Sequence, residues 1–148
     1  MLPRRVVIGA AVAAPIVARA ALRDGQLPTL DFDHLYKSFG VRGMEFSDRV
    51  RELSGQKVAV IGYMAPPLKA ESKFFVLSRE PLAICPFCDS DANWPLDIVV
   101  IYLKYQMPLV SAGARLTVVG RLESGSWLDP ESGFVSLLRL VDADFHKV

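Results

Sequence analysis

Five short runs of β-branched and aromatic residues, all beginning after residue 56, constrain the fold of this chain more than any other feature. In chain order they read KVAVIGYM, KFFVLSR, DIVVIYLKY, RLTVVGRLE and FVSLLRLVDADF. Runs of this length and composition are typical of β-strands. Residues that form turns separate them, notably APPLKAES after the first run and SGSWLDPESG before the last. The pattern predicts a mainly β protein with five strands.

Two glycines inside these runs indicate how the strands are arranged. Gly62 lies in the first run and Gly120 in the fourth, and a glycine within a strand usually marks a bulge or a bend. Five short antiparallel strands that bend in this way can close into a small barrel, which also hides the edges of the sheet. We therefore predict a five-stranded OB-like antiparallel barrel, ahead of an SH3-like barrel or an open meander.

A short helix is expected directly before the first strand, in the segment FSDRVRELSGQ. Ser47 can cap its first amides, Asp48 suits the positive end of the helix dipole, and Gly55 can end it in the left-handed conformation. Val50 and Leu53 are three residues apart and so share one face. With this leading helix, the predicted barrel domain spans residues 46–148, and residues 21–45 are predicted to form an extended N-terminal segment.

Residues 1–20 have the features of a signal peptide. Arg4 and Arg5 precede an apolar stretch of about 13 residues, and the segment ends in Ala-Arg-Ala. We predict cleavage between Ala20 and Ala21, by a Sec or a twin-arginine route. The stretch is shorter than the roughly 20 residues of a membrane-spanning helix, and no cysteine stands at the cleavage site, so we predict an exported, periplasmic protein without a membrane anchor.

The charge balance and the motifs exclude several function classes. Without the three arginines of the leader, 14 basic residues face 16 acidic ones, which gives no basic footprint for nucleic acid. Tyr63, Phe74, Phe75 and Tyr102 could line the groove where OB folds stack bases, but no basic channel accompanies them. The chain has no Gly-rich phosphate loop, HExxH motif or nucleophile elbow. We expect no enzymatic activity and no nucleic-acid partner.

The only two cysteines, in the motif Cys85-Pro86-Phe87-Cys88, are the strongest candidates for chemistry. In an oxidising compartment they could form a small disulfide, which would stabilise the fold by about 2 kcal/mol. They could instead hold a metal ion or act in thiol redox exchange. Exchange is disfavoured because the aspartates that follow raise a thiol pKa and because no βαβ setting surrounds the motif.

A metal site at this motif needs more than two ligands. Zinc prefers four, and the pair supplies half of them. Asp89 and Asp91 follow closely and could complete the shell as oxygen donors. His34 and His146 are the only histidines, and both are distant in sequence. The candidate metal ligands are therefore Cys85, Cys88, Asp89 and Asp91, with zinc as the possible cofactor.

Three segments resemble an uncharacterised family of small exported bacterial OB-like barrel proteins. They are LSGQKVAVIGYMAPP, FFVLSREPLAICPFC and VVGRLESGSWLDPESGFVSLLRLVDA. The resemblance implies a periplasmic, non-enzymatic protein. Some members of the family are linked to zinc-responsive ABC transport systems and are thought to handle metal. Many members carry a Cys followed by His- and Pro-rich residues in the corresponding loop, whereas this chain has CPFCDSDANWP without histidine. Cys85 aligns with the first Cys of the family.

Together these observations predict a periplasmic binding protein that is accessory to zinc handling or to an envelope ABC transporter. The first alternative is a structural or interaction module in which Cys85 and Cys88 form a disulfide. A thiol-disulfide redox protein is the third possibility.

Overall fold

The computed structural model describes residues 26–41, 43–66, 73–83, 96–106, 108 and 110–148. The predicted signal peptide and its cleavage point lie outside the described residues. The elements in chain order are a 3-10 turn (Phe32–His34), β1 (Tyr36–Gly40), β2 (Gly43–Phe46), α1 (Asp48–Leu53), β3 (Lys57–Met64), β4 (Phe74–Ser78), β5 (Ile98–Leu103), β6 (Arg115–Leu128) and β7 (Val135–Lys147). None of the helices in the described part of the chain is long and apolar enough to cross a bilayer.

The five strands predicted from the sequence are confirmed as β3 to β7, and their burial follows the period of a strand. In β3, residues alternate between buried and more exposed positions, so one face points into the core. Strands β4 and β5 are instead buried on nearly every residue. Phe75 and Ile101 belong to the main core, whereas Phe74 and Val100 form part of a second apolar cluster. The two central strands are therefore covered on both faces.

The five strands pair in a closed order, β3-β4-β5-β7-β6, because β6 pairs back with β3. The prediction of an all-antiparallel arrangement is wrong at one contact, since β5 and β7 run parallel. The reason is geometric: directions that alternate around a ring require an even number of strands. A closed sheet of five strands must therefore contain a parallel pair.

The two glycines in strands lie where the closed sheet leaves no room for a side chain. A Cβ on Gly62 would come within 2.7 Å of the Ser78 carbonyl oxygen and 2.8 Å of Leu77 Cγ, so β3 and β4 can approach this closely only because residue 62 is glycine. Gly120 lies opposite a bulge in β7, where a Cβ would lie 3.0 Å from Ala143 Cβ. Gly120 thus lies at a bulge, as predicted, whereas Gly62 pairs in regular register with Leu116 and permits a close approach of strands.

Helix α1 forms where the sequence predicts it. The Ser47 side chain accepts a hydrogen bond from the Val50 amide, Val50 and Leu53 are buried, and Gly55 has a φ of 81° just after the helix. The helix has only six residues, and an isolated helix of that length is not stable in water. The cap and the two buried side chains therefore hold it against the sheet.

Replacing Ser47 by alanine should lower the free energy of unfolding by about 1 kcal/mol, because the Val50 amide loses its acceptor. Ser47 also donates to the His34 carbonyl oxygen, so the same change loosens the 3-10 turn. Chemical denaturation followed by circular dichroism measures the loss. Ser54→Ala at the other end of the helix is the matched control, because Ser54 is exposed. Equal stability of the two variants would contradict a capping role for Ser47.

The described part of the N-terminal segment, predicted to be extended, is more structured than the sequence indicates. Thr29 forms a parallel bridge with Ala59 of β3, and Leu30 and Leu35 are fully buried in the main core. Strands β1 and β2 then form a separate two-stranded sheet. Strand β3 pairs with β4 only through Tyr63 and Met64. Residues 28–30 therefore form hydrogen bonds with a part of the β3 edge that β4 does not cover. The segment therefore completes the core.

Candidate functional site

The four predicted metal ligands, Cys85, Cys88, Asp89 and Asp91, lie outside the described residues. The structure does describe the base of their connection, between the end of β4 at Ser78 and the start of β5 at Ile98. The Arg79 amide donates to the Asp97 carbonyl oxygen at 3.0 Å. The two ends of the cysteine-containing connection are thus held together by the hydrogen bonding of the hairpin that they extend. We call Ser78, Arg79 and Asp97 the loop stem.

A buried serine fixes one side of the loop stem. The Ser78 hydroxyl can donate to either of two carbonyl oxygens, that of Tyr63 at 3.1 Å or that of Glu80 at 2.7 Å. Ser78 is 1% exposed, so these contacts are shielded from water and hold the chain where it leaves β4. The connection therefore starts from a fixed backbone position.

The loop stem also contacts the turn that carries one of the two histidines. Arg79 Nη1 lies 2.7 Å from Asp33 Oδ1, and Asp33 precedes His34 in the 3-10 turn. The 3-10 turn that includes His34, about 50 residues away in sequence, is thus held beside the base of the cysteine-containing connection. No local pattern in the sequence indicates this contact, because it depends on where residues 28–35 pack.

His146 lies elsewhere, on β7 at the outer surface of the closed sheet. There it lines an open groove of about 730 Å³. The other lining residues come from the turn before β3, from β3, β6 and β7, and from the end of β5; they are Gly55, Lys57, Lys104, Tyr105, Val119, Gly120, Arg121, Asp142, Ala143, Asp144 and Phe145. We call this the bulge groove, because the β7 bulge opposite Gly120 lies in it.

The aromatic residues named in the sequence divide between the two faces of the sheet. Phe75 is 1% exposed and packs edge-on against Phe145 in the main core. Phe74 and Tyr102 lie on the outer face, where Trp127 and Phe134 of the β6–β7 hairpin contact them. This outer aromatic cluster covers the sheet face that carries Phe74 and Tyr102, two of the residues that could line a groove for stacked bases. Trp94, the other tryptophan, lies outside the described residues.

Polar groups lie within the outer aromatic cluster. The Tyr102 hydroxyl is completely buried and has no hydrogen-bond partner of ordinary geometry among the described residues. Burial and then the Asp129 carboxylate raise the pKa of Tyr102 to about 12, against a smaller opposing effect of Ser136 and Arg139. The phenol is therefore neutral at any physiological pH. The Tyr102 side chain therefore packs against its neighbours and does not act as a general base.

No family model, curated protein or solved structure matches this chain. Among the residues that the structure describes, no three His, Cys, Asp or Glu side chains converge as a metal site. The two arrangements that remain as candidates are the cysteine-containing connection on its stem and the bulge groove.

Proposed function

We propose that this protein is a periplasmic, non-enzymatic binding protein built on an OB-like barrel. In this proposal its Cys85–Cys88 connection binds zinc, as an accessory to metal handling or to an envelope ABC transport system. The transport partner rests on the family resemblance alone. The zinc site rests on the residues of the connection and on the contacts at its base.

The order of the strands supports the OB-like part. Numbered from β3, the closed sheet has the order 1-2-3-5-4, with a parallel contact between the third and fifth strands. A five-stranded Greek-key barrel of the OB type has the same arrangement. The short helix α1 and residues 28–30, placed before and along the first strand, would be additions to it.

The observation that carries the zinc proposal is the contact between Arg79 and Asp33. It places the turn with His34 beside a hydrogen-bonded stem from which Cys85 and Cys88 extend. Two thiolates with two aspartates, or with one aspartate and an imidazole, are four-donor sets that zinc accepts. A stem that is held in position lowers the entropic cost of bringing these ligands together.

We expect the exported protein, purified under reducing conditions, to contain about one zinc ion per chain. Cys85→Ser should abolish this content, and Asp91→Asn should weaken binding while the fold is retained. The zinc content is measured by elemental analysis, with a free-thiol count on the same sample. Asp31→Asn is the matched carboxylate control, because Asp31 is exposed and makes no side-chain cap. His34→Gln distinguishes a ligand set with the imidazole from one completed by carboxylates.

Zinc content at background level in the wild-type protein would overturn this proposal. Two oxidised cysteines in the same thiol count would then favour the alternative, an interaction module with a Cys85–Cys88 disulfide. One observation supports that alternative: Trp127 and Leu128, near the tip of the β6–β7 hairpin, are 38% and 59% exposed, and an exposed apolar pair of this kind suits contact with a partner.

A further inference from the structure

We propose that the bulge groove binds an extended peptide that carries two acidic side chains four residues apart. This site is separate from the cysteine-containing connection, and the inference does not depend on zinc binding. It rests on the shape of the groove, on two lysines at its ends and on hydrogen-bond acceptors between them.

The bulge groove contains an irregular stretch of β7 whose backbone is strained. Val119 pairs with Asp144 and Arg121 pairs with Val141, so Asp142 and Ala143 together lie opposite Gly120. Asp142 has a φ of 49°, the only positive value of a non-glycine residue in the described part of the chain. A left-handed residue of this kind costs roughly 1 kcal/mol or more, and such strain concentrates at binding sites. The bulge turns the Asp142 carboxylate outward into the groove.

The two lysines stand at opposite ends of the groove and have no ion pair among the described residues. Lys57 begins β3 and Lys104 follows β5, and β6 and β7 lie between these strands in the closed sheet. Three strand spacings separate the two positions, which is about 14 Å along the sheet. With one of these lysines at each end, the groove suits an elongated ligand with a negative charge near each end.

The middle of the groove favours a peptide over a polyanion. Arg121 lies 2.7 Å from Glu123 and 3.5 Å from Asp142, so acidic groups already neutralise it. Asp142 and Asp144 leave carboxylate oxygens facing the groove, although one oxygen of Asp144 accepts from the Phe145 amide. These oxygens would repel a phosphate chain, but they can accept hydrogen bonds from backbone amides. A peptide provides amides between its acidic side chains.

The distance between the lysines sets the spacing in the peptide. An extended peptide rises about 3.4 Å per residue, so four residues cover about 14 Å. Side chains at positions i and i+4 of an extended chain also point to the same side, because the period is two. Acidic residues three apart would point to opposite sides. The exposed ring of Tyr105, next to Lys104, offers an apolar contact at one end.

The test uses the full exported chain and capped seven-residue peptides of neutral polar residues, with glutamates at positions 2 and 6. Comparison peptides have glutamates at positions 2 and 5, or glutamines at 2 and 6. We expect the first peptide to bind most tightly, and Lys57→Ala or Lys104→Ala to weaken its binding by about fivefold each. Lys37→Ala, an exposed lysine on the β1–β2 sheet, should leave the affinity unchanged. Titration calorimetry at low salt gives each dissociation constant.

Three results with the peptides would overturn the proposal, and a polyanion probe supplies a fourth. They are no binding of the first peptide, equal binding of the glutamine peptide, and an equal loss of affinity in Lys37→Ala. Inorganic tripolyphosphate serves as a polyanion probe, and tighter binding of this probe than of the peptide would also reject the peptide assignment. Unchanged thermal unfolding of the lysine variants shows that any loss arises at the groove. None of these measurements depends on zinc, so failure here leaves the proposed function untouched, and the reverse also holds.

Discussion

Replacing Leu30 by alanine is expected to lower the free energy of unfolding by about 3 kcal/mol, within the range for a large aliphatic side chain removed from a core. Leu30 is 1% exposed and belongs to the main core. Its amide donates to the Ala59 carbonyl oxygen at 3.0 Å, and the Ala59 amide donates to the Pro28 carbonyl oxygen at the same distance. The backbone is thus held on β3, so the segment cannot easily move inward to fill the cavity.

Leu27→Ala is the matched control, because Leu27 lies three residues away on the same segment and is 37% exposed. It should cost less than about 0.5 kcal/mol. Urea denaturation followed by circular dichroism, with the slope compared between variants, gives both values. If the two variants were equally stable, residues 28–30 would be a tether on the surface, as the composition of the segment suggests, and would not belong to the core.

The contrast between Leu30 and the strand regions shows what the sequence could predict about the fold. Strands β3 to β7 could be predicted because each carries its own run of β-branched and aromatic residues, and α1 could be predicted because Ser47 and Gly55 mark its ends. Leu30 stands alone between polar residues, so no local period marks it as buried. The hairpin of β1 and β2 was missed for a similar reason, since Gly40 and Gly43 argue against a helix without specifying a strand pair.

The strand order could be predicted in part. Bending glycines favoured closure, and Gly62 and Gly120 do lie where strands approach closely. A closed ring of five strands requires a parallel pair, which the prediction of an antiparallel barrel overlooked, but the count alone does not identify that pair as β5 and β7. The details of the β7 bulge could not be predicted, because DADF reads as a regular strand end in the sequence.

The candidate sites differ in how far the sequence revealed them. Cys85 and Cys88 stand out because cysteine occurs nowhere else, yet the contact of Asp33 with Arg79 depends on tertiary packing. The bulge groove left no motif, because Lys57 and Lys104 are ordinary surface residues until the closed sheet places β6 and β7 between them. Residue type identified the first site, and only topology identified the second.

Arg139→Met should lower the free energy of unfolding by about 3 kcal/mol, because it removes a buried charged donor from the partly buried Glu123 carboxylate and Gly125 carbonyl and from the buried Ser136. Arg139 is 7% exposed. Its Nε lies 3.0 Å from Glu123 Oε2, and its Nη1 lies 2.9 Å from the Gly125 carbonyl oxygen and 3.3 Å from Ser136 Oγ. The guanidinium also lies 5.2 Å from the Trp127 ring centre. Methionine keeps much of the volume but none of these hydrogen bonds, so β6 and β7 lose this link between them.

A double-mutant cycle with Glu123→Gln separates the ion pair from the other contacts of Arg139. Glu123 is also 2.7 Å from Arg121 and partly exposed, so the pair itself should account for about 1 kcal/mol of coupling. The larger share of the loss should persist in the Glu123→Gln background, since the Gly125 and Ser136 acceptors remain unpaired there. Arg115→Met, at an exposed position with the same change in chemistry, should cost less than about 0.5 kcal/mol. A loss in Arg139→Met that vanishes once Glu123 is neutral would show that charge pairing alone links the two strands, and would contradict a role for the hydrogen bonds to Gly125 and Ser136.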